Sequence, residues 1–231
     1  QLAHDFSTTL IKAGDHRALL AQSLGIVVGV GDLDHGFCDF KAMAQGAAAS
    51  LQGQLLIASP HIDDSRFQHS VIMMCQHDQS AAMGVVINQR SAQLDLGHLC
   101  ETLEMGAPRF HGDQPVYIGG PVESTRGFVL HSQDHMRPES VAVTHEIGLT
   151  SSVNILRDIT NGTGPVHSIV SLGYAGWHAG QLEQEMAANI WLNLPASNDL
   201  LFGIESDDIW AKAYATLGID PAHYVADAGT A

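Results

Sequence analysis

Four closely spaced pairs of side chains are the first places in this sequence where chemistry could reside. Cys75 and His77 stand two apart in an apolar run, where a regular strand would point both the same way. A thiol beside an imidazole can make a nucleophile or a ligand pair. The apolar neighbours predict instead a buried thiol next to an edge histidine. His131 and His135 have the four-residue spacing of a shared metal site on a helix. They follow the extended Phe128-Val-Leu130, which predicts solvated loop histidines. Glu183 and Glu185, two apart on an expected helix, do not converge, and Asp207 and Asp208 read as a helix start.

Other motifs fail on spacing. Gly29-Val-Gly31 lacks the third glycine of a dinucleotide fingerprint, because position 34 is Asp. Asp32-Leu-Asp34 resembles a calcium loop, but its glycine comes one place early and position 43 is Met. No G-x-S-x-G elbow, H-E-x-x-H or Walker loop occurs. The sequence therefore assigns no catalytic residue, no metal site and no cofactor.

A more promising set lies in two glycine-punctuated blocks, 117–131 and 171–186, together with Asn88. It comprises Asn88, Gly119, Gly120, Arg126, Trp177, Gln181 and Glu183. Gly119-Gly120-Pro121 opens the backbone either to a ligand or to a tight loop crossing. Arg126 has two candidate partners, Glu123 across the turn and Glu183 in the later block. One reading makes the set a latch between two loops, with Trp177 as packing anchor. The other makes it the lining of a ligand or partner pocket.

The elements that must position these residues are legible from pattern. Gln54–Ser59, Val71–His77 and Met83–Asn88 read as strands, the last two around the turn-rich 78–82. Leu96–Met105 has a helical period closed by Gly106 and Pro108. Val116–Ile118, Gly127–Leu130, Val141–Val143 and His167–Leu172 are further expected strands. Helices are expected from the Thr150-Ser-Ser152 caps to Asn161-Gly162 and from Gln181 to Leu192. A last helix spans Ile209 to Leu217 behind Ser206-Asp-Asp208. Strands clustered first and then mixed with helices indicate an α+β protein with a mixed sheet.

Composition narrows the function class. Ten basic residues face 25 acidic ones, a formal net charge of −15. Affinity for nucleic acid rests on cationic side chains that neutralise phosphates, so neither nucleic acid nor an anionic membrane is an expected partner. No apolar run approaches the roughly 20 residues that span a bilayer. Cys38, Cys75 and Cys100 are far apart and without a C-x-x-C pair, as expected of reduced thiols in a cytoplasmic protein.

Many ordered stretches resemble the bacterial AlgH/YqgE family. They include Leu51-Gln-Gly-Gln-Leu-Leu-Ile-Ala-Ser-Pro60, Ser70-Val-Ile-Met-Met-Cys-Gln-His77, Ala82-Met-Gly-Val-Val-Ile-Asn88 and both glycine blocks. Leu149-Thr-Ser-Ser152, Asn189-Ile-Trp-Leu192 and Leu217-Gly-Ile-Asp-Pro-Ala222 also match. The resemblance covers Leu51–Ala231. It implies one α+β domain in which a bifurcated mixed β-sheet folds into a pseudo-barrel flanked by helices. It implies no settled activity; a transcriptional-regulator label carried by some members is not supported by the acidity here. Ser65, Ala81 and Ser91 depart from residues usual at those turns.

Residues 1–50 are expected to form an N-terminal extension outside the family domain at 51–231. Met43 is a candidate native start, with 1–42 as leader. The expected function is binding, as a cytoplasmic regulatory or accessory protein with an unknown protein partner or small ligand. The alternative is an enzyme or small-molecule binder using Cys75 and His77 or the Asn88, Arg126 and Glu183 region.

Overall fold

The strand expected to end at Leu172 instead runs through the glycines that follow it. A computed structural model describes residues 50–224, and the extension, Met43 and Cys38 lie outside the described residues. The strands are β1 (Gln54–Ala58), β2 (Val71–His77), β3 (Ala81–Val86), β4 (Arg90–Asp95) and β5 (Pro115–Ile118). They continue with β6 (Val122–Ser132), β7 (Val141–Ala142), β8 (Ile147–Thr150), β9 (Ser168–His178) and β10 (Trp191–Pro195). The helices are α1 (Leu96–Thr102), α2 (Val153–Asn161), α3 (Gln181–Ala187), α4 (Asn198–Phe202) and α5 (Ile209–Leu217).

β9 belongs to both halves of the sheet. One half runs β10-β1-β2-β3-β9 and the other β9-β6-β8-β7, all antiparallel. On the edge opposite β6, β9 first pairs in parallel with β5 through Leu172. From Ala175 onward that edge pairs with β3 instead. β4 extends the β5 branch. This is an α+β protein whose mixed sheet bifurcates and curls into a half-barrel with helices around it.

The exchange of neighbours occurs at Gly173, whose φ is +76°. There the β5–β6 connection passes against β9 with no room for side chains. Gly119 N–H donates to Leu172 O at 2.7 Å, and Gly119 O accepts from Val86 N–H at 2.8 Å. A Cβ on Gly119 would lie 2.3 Å from Gly173 O, and one on Gly120 would lie 2.2 Å from the Tyr174 carbonyl carbon. Gly120 also has φ +149°, a conformation that L side chains rarely adopt. Of the two roles left open for this glycine pair, the backbone crossing is the one the geometry displays.

Both faces of the central strands are covered, which is why they read as nearly unbroken apolar runs. Met83, Val85 and Ile87 face a core inside the half-barrel, closed by Leu200, Leu201, Ile209 and Tyr214 of α4 and α5. Ala82 and Val86 face Leu182 of α3 and the indoles of Trp177 and Trp191. α1 and α2 cover the other branch, where Leu99, Ile155 and Ile159 meet Val116, Val129 and Val170. Ser152 caps α2 by accepting from Asn154 N–H, and Gly162 ends it at φ +76°.

The helix expected from Gln181 to Leu192 stops at Ala187. Asn189 takes φ +55°, and Trp191–Pro195 pairs with β1 as an edge strand. The four-residue spacing of Leu182, Met186 and Ile190 therefore spans a helix and its exit. The departures from the family's turn residues are absorbed locally. Asp64 caps a 3-10 turn at Ser65–Phe67, and the Asp78 carboxylate accepts from Ser80 N–H, Ser80 Oγ and Ala81 N–H.

The crossing generates a comparison. Gly120→Ala is expected to cost more than about 3 kcal/mol, because it combines backbone strain with a direct backbone clash. Gly218→Ala, at φ +70° with nothing within 4 Å, should cost only about 1–2 kcal/mol. Urea denaturation of the two variants measures the difference; equal losses would mean that close passage is unimportant.

Candidate functional site

The second glycine block delivers its side chains to α3. Trp177 Nε1–H and Trp191 Nε1–H both donate to Glu185 Oε2 at 2.8 Å. Gln181 Nε2–H donates to the other oxygen at 2.9 Å, while Gln181 Oε1 accepts from His178 N–H at 3.1 Å. The two indoles meet edge to face, 6.0 Å apart. Glu185 thus fastens the helix to two strands through the two indoles, while Gln181 steadies it from within the helix. Glu183 points elsewhere and accepts from His77 Nε2–H at 2.9 Å.

His77 has a defined tautomer. Its Nδ1 accepts from Leu51 N–H at 2.9 Å, so the ring proton sits on Nε2 and faces Glu183. The regular alternation expected of β2 is broken on the way. Met74 pairs with Gly84 but Gln76 pairs with Met83, which leaves Cys75 as a bulge. Cys75 packs with Met73, Met83 and Val85 inside the half-barrel, whereas His77 pairs with Ala82 on the α3 side. The expectation that the two point the same way is corrected by that extra residue. Burial pushes the Cys75 thiol up to about 12 and raises that of Cys100, so neither is a nucleophile at neutral pH.

Of the two histidines expected in a solvated loop, His135 does lie in the loop after β6, partly exposed, but His131 does not. His131 is fully buried near the end of β6, where Nδ1–H donates to Ser132 O at 2.9 Å. Its Nε2 accepts from the Thr150 hydroxyl at 2.8 Å. That hydroxyl lies 2.6 Å from Ser140 Oγ, which accepts from Arg137 N–H. Gly148 leaves the space the ring needs, since a Cβ there would lie 2.7 Å from His131 Cε1. His135 Nε2 lies 2.7 Å from Asp158 Oδ2, which also pairs with Arg137. β6 runs to Ser132, past the expected Leu130, and that extension buries the first imidazole.

The remaining members of the set are dispersed. Asn88 Oδ1 accepts from Val71 N–H and its Nδ2 donates to His69 O, both at 2.8 Å, which pins the start of β2. Arg126 pairs with Glu123 at 3.0 Å, not with Glu183, and lies over the Phe128 ring at 5.3 Å. Arg126 and Glu123 sit in the stretch of β6 where its register with β9 is interrupted, and Glu123 has φ +44°.

None of these residues lines a cleft of about 530 Å³ over the branch formed by β4, β5 and the start of β9. Its polar wall includes Arg90, Gln114, Tyr117 and Ser168. Its apolar wall is Phe202 and Ile204 together with Val166 of the loop before β9. His167 stacks on Phe202, centroids 5.4 Å apart and planes 15° apart. His111, also at the cleft, has φ +58°. Arg90 reaches across to the α4–α5 connection, donating from Nε to Ser206 Oγ at 2.5 Å and from Nη2 to Glu205 Oε2 at 2.7 Å. No spacing in the sequence joins these residues, which come from four separate segments. Among the described residues no group of three His, Cys, Asp or Glu side chains is placed to hold a metal.

Comparisons with known proteins agree with this architecture. The family model described as AlgH-like matches residues 55–222. A UPF0301 protein of Methylobacterium nodulans is 45% identical over 193 residues, 80% of this chain and 92% of its own. A UPF0301 protein of Chelativorans is 46% identical over 193 residues, 80% of this chain and 95% of its own. The solution structure of AlgH from Pseudomonas aeruginosa matches with a TM-score of 0.66 at 38% identity, covering 82% of this chain and 100% of that one. A crystal structure of a Corynebacterium diphtheriae protein, at 21% identity and a TM-score of 0.59, shares the fold over 79% of this chain and 94% of that one.

Two measurements probe the polar groups. Glu185→Ala strands the indole donors and is expected to cost about 2–4 kcal/mol in urea unfolding followed by tryptophan fluorescence. Glu183→Gln, at a carboxylate 47% exposed, should cost less than about 1 kcal/mol. Burial lowers the pKa of His131 from its ordinary 6.5, so on acidification the unfolded chain takes the proton first. Its contribution to stability is complete above that value and is lost as pH falls from there through the folded pKa. The decline in unfolding free energy between about pH 7 and pH 5 should therefore be shallower in His131→Gln than in the parent. Identical slopes would remove His131 as its source.

Proposed function

This chain belongs to the AlgH-like family, and from that membership and the geometry above we propose that it works by binding. In this reading it is a cytoplasmic regulatory or accessory factor, and the cleft beside Phe202 holds its ligand. The observation that carries the proposal is the cleft itself. It has the volume of a small-molecule site, and it brings Arg90, Gln114 and Tyr117 together with aromatic and aliphatic side chains. A residue in the left-handed region, His111, stands at its edge, as strained backbone often does at ligand sites.

The chemistry elsewhere favours binding over catalysis. The two described thiols are buried and held protonated. Asn88, Arg126 and Glu183, the residues of the enzyme alternative, are bonded separately to strand backbone, to Glu123 and to His77. We assign Asn88, Gly119, Gly120, Arg126, Trp177, Gln181 and Glu183 to the frame that holds the strands in place, and ligand contact to the cleft. Nucleic acid is a poor candidate for a chain of net charge −15. Among the described residues no helix is long and apolar enough to cross a membrane.

The test is a thermal-shift panel of metabolites, nucleotides, metal ions and a short DNA duplex, with each stabiliser mapped by amide chemical shifts. A saturable small molecule that moves resonances of Ser168 and Ser206 is expected, and the duplex should be silent. Turnover of a panel member, or stabilisers that act only outside the cleft, would overturn the reading.

A further inference from the structure

Among the described residues, Arg90 is the only permanently charged cation that lines the cleft. Such a guanidinium presents a planar fork of donors matched to a carboxylate. Here the fork is occupied from within the chain. Glu205 supplies the carboxylate, and Ser206 supplies a hydroxyl acceptor beside it. The Glu205 side chain is 79% exposed and that of Arg90 42%. An ion pair so open to solvent is worth only about 0–1 kcal/mol, so a second carboxylate can replace Glu205 at little cost. Glu205 follows Gly203 in an irregular connection, and releasing its side chain into water disturbs no buried contact.

The rest of the cleft indicates what is attached to that carboxylate. The Phe202 ring, with His167 stacked on it and Ile204 and Val166 beside it, offers a flat apolar wall. Charge sets an upper limit. One guanidinium is already paired with Glu205, and the Ser206 hydroxyl that it meets donates to Asp207 at 3.5 Å, within a strongly acidic chain. A doubly charged phosphate would meet more repulsion there than a single carboxylate.

We propose that Glu205 is a built-in stand-in for the ligand and that the cleft takes a small aromatic or branched monocarboxylate. The ligand's carboxylate displaces Glu205 from Arg90, and its apolar body lies against Phe202. This rests on the reading of the cleft as the binding site. It adds the ligand class and an internal competitor that keeps Arg90 paired until the ligand arrives.

The experiment titrates the whole chain with benzoate, benzamide and inorganic phosphate, followed by amide and Arg Nε–H shifts. Benzoate should shift Arg90 Nε–H and Ser206 saturably, and Arg90→Gln should weaken it by about tenfold or more. Glu205→Gln should tighten benzoate by about threefold or more, a gain that misfolding cannot produce. Unchanged or weaker benzoate binding in Glu205→Gln overturns the stand-in. Benzamide binding the cleft as well as benzoate, or phosphate binding better, overturns the ligand class and leaves the cleft reading intact. If neither these probes nor any compound of the wider panel moves cleft resonances, the cleft reading itself fails.

Discussion

The close passage of Gly119 and Gly120 against Gly173 is the constraint on which this architecture depends. A single strand, β9, has to serve two half-sheets that diverge, and its partner on one edge changes from β5 to β3 within a few residues. That change is possible only where one backbone can cross another at hydrogen-bond distance. Side chains of any size would separate the two by more than the length of the Gly119 N–H to Leu172 O bond. Once the crossing exists, each half acquires two faces to cover, and the helices distribute accordingly. α4 and α5 close the inside, α1 and α2 cover one branch and α3 the other.

Polar groups follow the same economy. Carboxylates that look like catalytic candidates are used to fasten elements, Glu185 through two indoles and Glu183 through an imidazole. The buried imidazole of His131 is neutral and satisfied at both nitrogens, so it stabilises the fold without carrying charge. The cleft differs in kind. There an exposed guanidinium is balanced by an exposed carboxylate, and neither is locked in place by burial.

Elements defined by local chemistry could be read from the sequence. Ser152 and Gly162 bound α2, and Gly218 ends α5, because caps and left-handed glycines act within a few residues. Elements defined by long-range pairing could not. The glycines after Leu172 carry a turn signal, yet the close approach that Gly173 permits lets β9 run on to His178. Met186 and Ile190 keep a helical spacing across the point where Asn189 turns the chain into β10. The family resemblance supplied the bifurcation that periodicity alone leaves as a mixed sheet. The cleft was illegible for a stronger reason. Arg90, Gln114, His167, Phe202 and Glu205 meet only after β4, β5 and β9 have paired, and no interval between them in the chain encodes that meeting. Of the site residues weighed from sequence, Arg126 did find one of its two candidate partners, Glu123.

The bulge at Cys75 bears on how this strand tolerates changes of length over evolutionary time. Up to Met74, β2 alternates in step with β3; beyond the bulge the step is reset by one residue. Loss of the extra residue, Cys75, would make the strand regular while leaving Gln76 opposite Met83 and His77 opposite Ala82. The imidazole would still meet α3, with its Leu51 and Glu183 contacts in reach. The bulge thus gives β2 one residue of slack that a strictly paired strand does not have.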